Sequence, residues 1–269
     1  MQKYALVTGA SSGIGSAFAA LAASKGFNVG LSARRLDRLE ALADKLKTDH
    51  GVEVDVFPQD LSQPQSAEGL LTLVADAGRS VDCLVNNAGY SIPNGFHDTS
   101  LEDQRAFLEL TIATPIALAH GVLGKMIEKK WGRVINISSI TALSSGGKGH
   151  TLYPAGKAFL LRFSQSLNAE VAEAGVKVTA VLPGFVQTEF QIANGMNETM
   201  GDSPRRFAQT AEEVAQEAWS RNEKGVEVVV PGLLPKGAAL CLQYLPEPLV
   251  RFATRRAAEK YYVGNKNGC

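Results

Sequence analysis

The sequence predicts a doubly wound α/β fold, a parallel sheet of about seven strands with helices on both faces. Three observations carry that expectation. Short β-branched or apolar runs alternate along the chain with longer stretches whose apolar residues recur at helical spacing. A glycine-rich turn joins the first run to the first helical stretch. The exits of runs one, four, five and six are all polar or glycine-containing.

The strands fall at 4–8, 28–33, 52–57, 83–86, 133–137, 177–182 and 226–230. Between them lie patterns such as Leu36, Leu39, Leu42, Ala43 and Leu46, one apolar face of a helix. Strand–helix–strand repeated in this way implies parallel pairing through right-handed crossovers. No internal repeat or linker-like tract interrupts it, so 1–269 reads as one domain. Two segments break the rhythm. Residues 187–210, with Gly195, Gly201, Asp202 and Pro204, read as a substrate lid. Residues 236–269 read as a helical tail with six basic side chains (Lys236, Arg251, Arg255, Arg256, Lys260, Lys266) against Glu247 and Glu259.

Bulk composition excludes more than it identifies. Lysine plus arginine equals aspartate plus glutamate, 27 each, so no overall field favours nucleic acid. Three scattered cysteines (Cys83, Cys241, Cys269) make neither a disulfide framework nor a zinc site, and a reducing compartment is expected with no bound metal. The first apolar run starts at Tyr4, which leaves no room for a targeting peptide. No apolar run reaches the roughly eighteen residues of a membrane span; the stretch around 238–245 is interrupted by Gln243 and stopped by Pro246. The expectation is a cytoplasmic protein without a transmembrane segment.

Thr8-Gly9-Ala10-Ser11-Ser12-Gly13-Ile14-Gly15 follows the first strand and opens the first helix. Glycines there admit positive φ and let the backbone approach a pyrophosphate, which the helix N–H groups then bind. Its strand–turn–helix setting makes this a dinucleotide site, with Gly9, Ser11, Ser12, Gly13, Ile14 and Gly15 as contacts. At the end of the second strand an NAD site needs a carboxylate for the ribose 2′-hydroxyl. This chain has Ala33-Arg34-Arg35 instead, so Arg34 suits a 2′-phosphate and NADP(H) is preferred over NAD(H). Arg35 assists or is simply solvated.

Tyr153 and Lys157 stand four residues apart in a segment that reads as a helix through Val171, hence on one face. A free phenol titrates near 10, and a neighbouring ammonium lowers that value toward the working range of an acid or base. Pro154 is tolerable only in a first helical turn, which places Tyr153 near the helix start. Ser138-Ser139 closes the fifth strand, Asn86-Asn87-Ala88-Gly89 the fourth and Pro183-Gly184 the sixth. In a sheet of this kind those exits line one crevice.

With these residues in hand, the chain resembles the short-chain dehydrogenase/reductase family, in its short single-domain, Rossmann-type branch. The resemblance rests on Thr8 to Gly15, Asp60-Leu61, Asn86 to Gly89, Ser139, Tyr153 with Lys157, and Pro183-Gly184 through Thr188, in the family's order over roughly the first 190 residues. It implies hydride transfer between a nicotinamide and a carbonyl or alcohol carbon. Tyr153 would be the acid or base, Ser139 would hold the substrate oxygen, and Lys157 would bind the nicotinamide ribose. Asp60, with Leu61, would lie at the adenine. Asn87, with Ala88 and Gly89, would support the cofactor, and Pro183, Gly184, Val186 and Thr188 would reach the carboxamide end. It also implies a homodimer or homotetramer. Two departures stand out. The Ser139-to-Tyr153 interval is one residue longer than the commonest family spacing, an insertion that falls at 144–149. The central-helix position where the family usually carries a relay asparagine is Thr111.

The expected substrate wall combines Tyr90, Ile92, Phe96, Leu143, Phe185, Phe190, Met196 and Met200, which favours an apolar carbonyl compound. Arg205 and Arg206 read as a solvated pair, and His97 and His150 as surface residues without metal partners. The competing readings are an NADP(H)-binding regulatory protein with little turnover, for which Thr111 is the single argument, and a sugar-nucleotide epimerase of the family's longer branch, which the glycine spacing disfavours. The tail reads as helices packed on the body or across a subunit interface, with an anionic membrane surface as the other option.

Overall fold

The structure is a computed structural model that describes residues 2–149, 151–186, 188 and 208–259. Most of the expected lid lies outside the described residues, as do His150, Phe190, Met196, Met200, Arg205, Arg206 and the chain beyond 259.

In chain order the elements are β1 (Tyr4–Thr8), α1 (Gly13–Ser24), β2 (Asn28–Ala33), α2 (Leu36–His50), β3 (Val54–Pro58), α3 (Ser66–Asp76) and β4 (Cys83–Asn86). Next come α4 (Leu101–Leu108), a π-helical turn (Glu109–Ala113), α5 (Thr114–Glu128), β5 (Gly132–Ile137), a 3₁₀ turn (Ile140–Leu143), α6 (Leu152–Val171) and β6 (Val176–Val181). The described chain ends with α7 (Ala211–Glu223), β7 (Val228–Val229), α8 (Leu233–Tyr244) and α9 (Glu247–Glu259).

The seven strands pair in parallel in the order β3-β2-β1-β4-β5-β6-β7. Both sheet faces are buried, which is why the strands read as near-continuous apolar runs. One core layer packs Phe18 and Ala22 of α1, Leu39 and Leu46 of α2 and Val214 and Trp219 of α7 on the sheet. The opposite layer holds Leu70 of α3, Leu118, Val122 and Met126 of α5, and Leu6 and Leu84 from the strands. Each fully buried side chain of this size contributes about 1.5–3 kcal/mol relative to exposure.

Four strands differ from expectation, β5 and β6 by one residue each, β3 and β7 by more and for local reasons. β3 starts at Val54, not 52, because the Glu53 amide donates to the Asn28 side-chain oxygen (3.0 Å) and not to a ladder carbonyl. β7 shrinks to Val228–Val229, an edge element that pairs only with Ala180 and Val181. The expectation of no long apolar run also needs correction. Leu101–Glu128 forms a continuous helical run long and apolar enough to cross a membrane by length and composition alone. Its α5 portion lies on the sheet, with Leu118, Ala119, Val122 and Met126 buried, so the apolar face is spent on the core.

Strand order reverses between β1 and β4, so the helices that leave them diverge and open a crevice at the carboxyl edge of the sheet. The polar exits recognised in the sequence all face that opening.

Candidate active site

The glycine-rich turn forms the cofactor end of the crevice. Gly9 has φ +64°, and a side chain there would meet the Asn87 amide nitrogen and Ala88 within 3.0 Å. Gly15 is closed to substitution for a different reason: a Cβ would lie 2.2 Å from the Gly9 carbonyl oxygen. The turn is therefore folded on itself, and α1 begins behind it with no acidic residue in its first turn, an N-terminus suited to an anion. Thr188 lies against Gly13.

A single hydroxyl joins this turn to the fourth strand's exit. Thr8 Oγ1 accepts the amides of Asn87 (3.0 Å) and Ala88 (3.1 Å) and donates to the Val85 carbonyl (3.3 Å). The Asn87 side chain returns the contact, donating to the carbonyls of Thr8 and Gly9 (3.0 and 3.2 Å). In the structure Asn87 therefore holds the turn itself in shape.

The second-strand arginines face different partners. Arg34 is exposed and acts electrostatically on Asp60. Burial pushes the Asp60 carboxyl up, but the Ser62 hydroxyl and amide (2.7 and 3.1 Å) and the Arg34 charge hold it below its usual value. Arg35 donates from its guanidinium to Ser11 Oγ (2.9 Å) and Ser12 Oγ (3.0 Å), directly over the phosphate turn. The sequence left Arg35 as an assistant or a solvated charge; its place at the N-cap of α2 turns it back over α1. Beside Asp60, the Leu61 carbonyl accepts from Thr114 Oγ1 (2.8 Å), fixing that loop to α5.

At the chemical end, Ser139 caps the 3₁₀ turn, its Oγ accepting from the Thr141 amide (3.2 Å), and its side chain is hydrogen-bonded to Tyr153. Tyr153 and Pro154 stand in the first turn of α6, where the missing proline N–H costs nothing. Lys157, 6% exposed, lies one turn further on. Its Nζ donates to the Ile137 carbonyl at the end of β5 (2.8 Å) and lies 5.7 Å from the Tyr153 ring centre. Ser138 Oγ binds the Lys157 carbonyl (2.7 Å), which pins α6 to the strand end. A Cβ on Gly89 would come within 3.6 Å of the Lys157 ammonium, so the fourth strand's exit closes the same space.

The proton energetics differ from the simple expectation that Lys157 lowers the Tyr153 pKa. Burial pushes the phenol up to about 12, opposed by the hydrogen bond from Ser139, and burial pushes the Lys157 ammonium down to about 8. Desolvation outweighs any ammonium–phenol attraction. A phenol with that pKa is held in its neutral, proton-donating form at neutral pH.

Thr111, 2% exposed, sits in the π-helical turn. Its methyl would be 2.9 Å from a Cβ on Gly156, between Tyr153 and Lys157 in sequence, so it packs directly on α6. Pro115 follows at the start of α5 and has no N–H to offer the carbonyls of the preceding turn. The insertion at 144–149 is absorbed between the 3₁₀ turn and α6, with positive φ at Gly146 and Gly149.

The sequence-predicted pocket wall divides. Leu143 packs with Leu161 and Leu182 as scaffold. Tyr90 contacts Phe107 edge-on at 5.6 Å, and Phe107 stands 6.5 Å from Tyr153. Phe96 and Phe185 are exposed and Ile92 is half-buried. Phe107 was missed by sequence reasoning; its signal was a position one turn before Thr111. Gly184 lies under Pro235 of α8, a Cβ there falling 2.7 Å from the proline ring, and Val186 bridges to Gln209. His97 is exposed beside Asp98 (3.2 Å). Among the described residues no cluster of histidine, cysteine or carboxylate side chains could hold a metal.

Comparison with known proteins matches this geometry to a family. The family model described as short chain dehydrogenase matches residues 3–199. An uncharacterized oxidoreductase of Myxococcus xanthus is 32% identical over 254 residues, 94% of this chain and 96% of that protein. One from Staphylococcus aureus is 31% identical over 207 residues, covering 77% and 88%. Among solved structures, a short-chain dehydrogenase from Sphingobium yanoikuyae in complex with NADPH superimposes with TM-score 0.78 at 30% identity, covering 88% and 92%. A 7β-hydroxysteroid dehydrogenase gives TM-score 0.84 at 26% identity (94% and 96%). An L-sorbose reductase from Gluconobacter frateurii, complexed with NADPH and L-sorbose, gives 0.75 at 26% identity (85% and 94%).

Proposed function

Because this chain belongs to the short-chain dehydrogenase family, we propose that it is an NADP(H)-dependent oxidoreductase acting on the carbonyl or alcohol carbon of an apolar small molecule. The observation that carries the proposal is the hydrogen-bonded Ser139–Tyr153 pair with buried Lys157 one helical turn on. The residues fit a nicotinamide dinucleotide. Gly9 and Gly15 keep a cradle free of side chains at the N-terminus of α1, and Arg34 and Arg35 beside it carry charge that would suit a ribose 2′-phosphate. When bound, that cofactor supplies or accepts the hydride.

The chain's own groups supply the rest. In reduction, Ser139 Oγ donates to the substrate oxygen and Tyr153 passes its phenolic proton to the developing alkoxide; oxidation reverses both roles. Lys157 would hold the ribose, and its positive charge beside the phenol would ease formation of the phenolate. Asp60 and Leu61 would contact the adenine, Asn87 to Gly89 maintain the turn, and Pro183, Gly184, Val186 and Thr188 would hold the carboxamide end. Tyr90 and Phe185 favour an apolar substrate. The similarity to a hydroxysteroid dehydrogenase supports that class. A homo-oligomer and a cytoplasmic location complete the reading, with exposed Leu108, Ile116 and Phe159 on α4, α5 and α6 available for self-association.

The test is fluorescence titration with NADPH and NADH, then turnover on ketones and aldehydes. Tighter NADPH binding and activity lost in Tyr153→Phe are expected; binding of neither nucleotide overturns the proposal. The alternative, a regulatory NADP(H)-binding protein, rests on Thr111 in the π-helical turn and is favoured if NADPH binds tightly without turnover on any carbonyl.

A further inference from the structure

Sixteen large apolar side chains stand exposed among the described residues, and seven of them lie within residues 233–252. On α8, Leu233 (86% exposed), Leu240 and Tyr244 (79%) recur at seven and four residues, one helical stripe, while Ala239 faces the body. Gly237 and Cys241 extend the stripe, and the nearest charge on the helix, Lys236, is tied to Glu217. On α9, Val250 is buried, and Leu249 and Phe252 (66% exposed) project from the opposite face. Arg256, one turn beyond Phe252, continues that outward face, and Arg255 stands exposed beside it. Both helices present apolar ridges away from the protein, and Arg255 and Arg256 edge the one on α9.

We infer that this two-helix face docks on an anionic lipid bilayer, lying in the headgroup region without crossing it. Helices of 12 and 13 residues are too short to span. Apolar ridges beside exposed arginines are the composition of an interfacial helix. Charge settles which occupant the face suits. The tail from 236 carries six basic against two acidic side chains while the whole chain is neutral, so the body carries a matching negative excess. An anionic surface attracts the tail and repels the body, which fixes the orientation. A second copy pairing face to face would instead bring two positive tails together.

The face also has a fixed relation to the crevice. Pro235 of α8 covers Gly184, α8 packs against the 3₁₀ turn that Ser139 caps, and Lys236 is tied to Glu217 of α7 (2.7 Å). A bilayer under α8 therefore lies beside the crevice, where an apolar compound dissolved in lipid has a short path to it. Docking itself does not depend on the catalytic reading, and its test involves no turnover.

The experiment is co-sedimentation of the full chain with vesicles of phosphatidylcholine alone and with about a third phosphatidylglycerol, at low and high salt, alongside sedimentation velocity without lipid. Expected is binding to the anionic vesicles that weakens with salt and is lost in Leu240→Glu/Tyr244→Glu, two exposed positions whose change leaves the thermal unfolding midpoint in place. Arg255→Gln/Arg256→Gln should lower partitioning roughly 25-fold, about fivefold for each arginine at the surface. No binding at either composition overturns the proposal. So does equal binding to neutral vesicles without salt dependence. A wild-type dimer that the glutamate pair converts to monomer, without vesicle binding, overturns it in favour of a contact between copies.

Discussion

Lys157 links the chemistry of the site to global stability in a measurable way. Burial pushes its ammonium down to about 8 in the folded chain, from an ordinary 10.5. Between those values the unfolded chain binds the proton and the folded chain releases it, so stability rises with pH across that window. Below pH 8 the fold carries a buried ammonium at a cost of about 3 kcal/mol relative to the unfolded chain. From pH 8 to 9 the folded group falls from half to about a tenth protonated, which returns about 1 kcal/mol. Cys83 works the other way as pH approaches 9, because burial pushes its thiol up to about 12. The reading is therefore the difference between wild type and Lys157→Met, in which Cys83 cancels. Urea unfolding of both proteins without cofactor, followed by circular dichroism at pH 7, 8, 8.5 and 9, supplies it. Wild type should gain about 1 kcal/mol on the variant between pH 8 and 9. Parallel pH profiles would refute the reasoning and mean that Lys157 keeps an ordinary pKa through solvation or pairing.

Other outcomes follow from the same geometry. Tyr153→Phe removes the proton donor and should lower kcat by about 10²–10⁴-fold while leaving the NADPH Kd within a few-fold, read by steady-state kinetics beside fluorescence titration. Arg35→Ala and Arg34→Ala should each weaken NADPH by about 10- to 100-fold and NADH hardly at all, since charge-assisted contacts of this kind are worth about 1.5–3 kcal/mol; equal losses for both nucleotides would place the arginines off the 2′-phosphate. Gly15→Ala drives a methyl to 2.2 Å from the Gly9 carbonyl, so it should abolish measurable nucleotide binding in calorimetry and lower the thermal midpoint. Gly156→Ala presses on the Thr111 methyl at 2.9 Å and should cost about 1–3 kcal/mol in urea unfolding, through displacement of α6.

Much of this molecule is written in local pattern. β1, β2 and β4 begin and end where their apolar runs do, because strands buried on both faces tolerate few polar residues. The glycine turn and the Tyr153–Lys157 spacing are likewise local, and the structure brings them into one crevice with Ser139. What escaped was set by distant contacts. Arg35 reaches Ser11 and Ser12 only because α2 starts where it does. Lys157 is held by a strand-end carbonyl, and nothing in the Tyr-x-x-x-Lys spacing reports how dry that place is. Phe107 joins Tyr90 to Tyr153 across three elements, so no single stretch of sequence announces it. The apolar character of 101–128 was hidden by its scattered charges, such as Glu102, Asp103, Arg105, Glu109 and Lys125.

The hydroxyl of Thr8 gives the crevice a mechanical property. Because one oxygen anchors two amides of the fourth strand's exit while its own backbone begins the glycine turn, the two banks of the crevice share a hinge pin. A shift of one bank therefore pulls on the other through this oxygen. A misplacement near 1 Å can cost about a hundredfold in rate, so this shared pin sets the tolerance to which the site is built. Loops around the rim can vary in length and composition, as the insertion at 144–149 does, without disturbing that alignment.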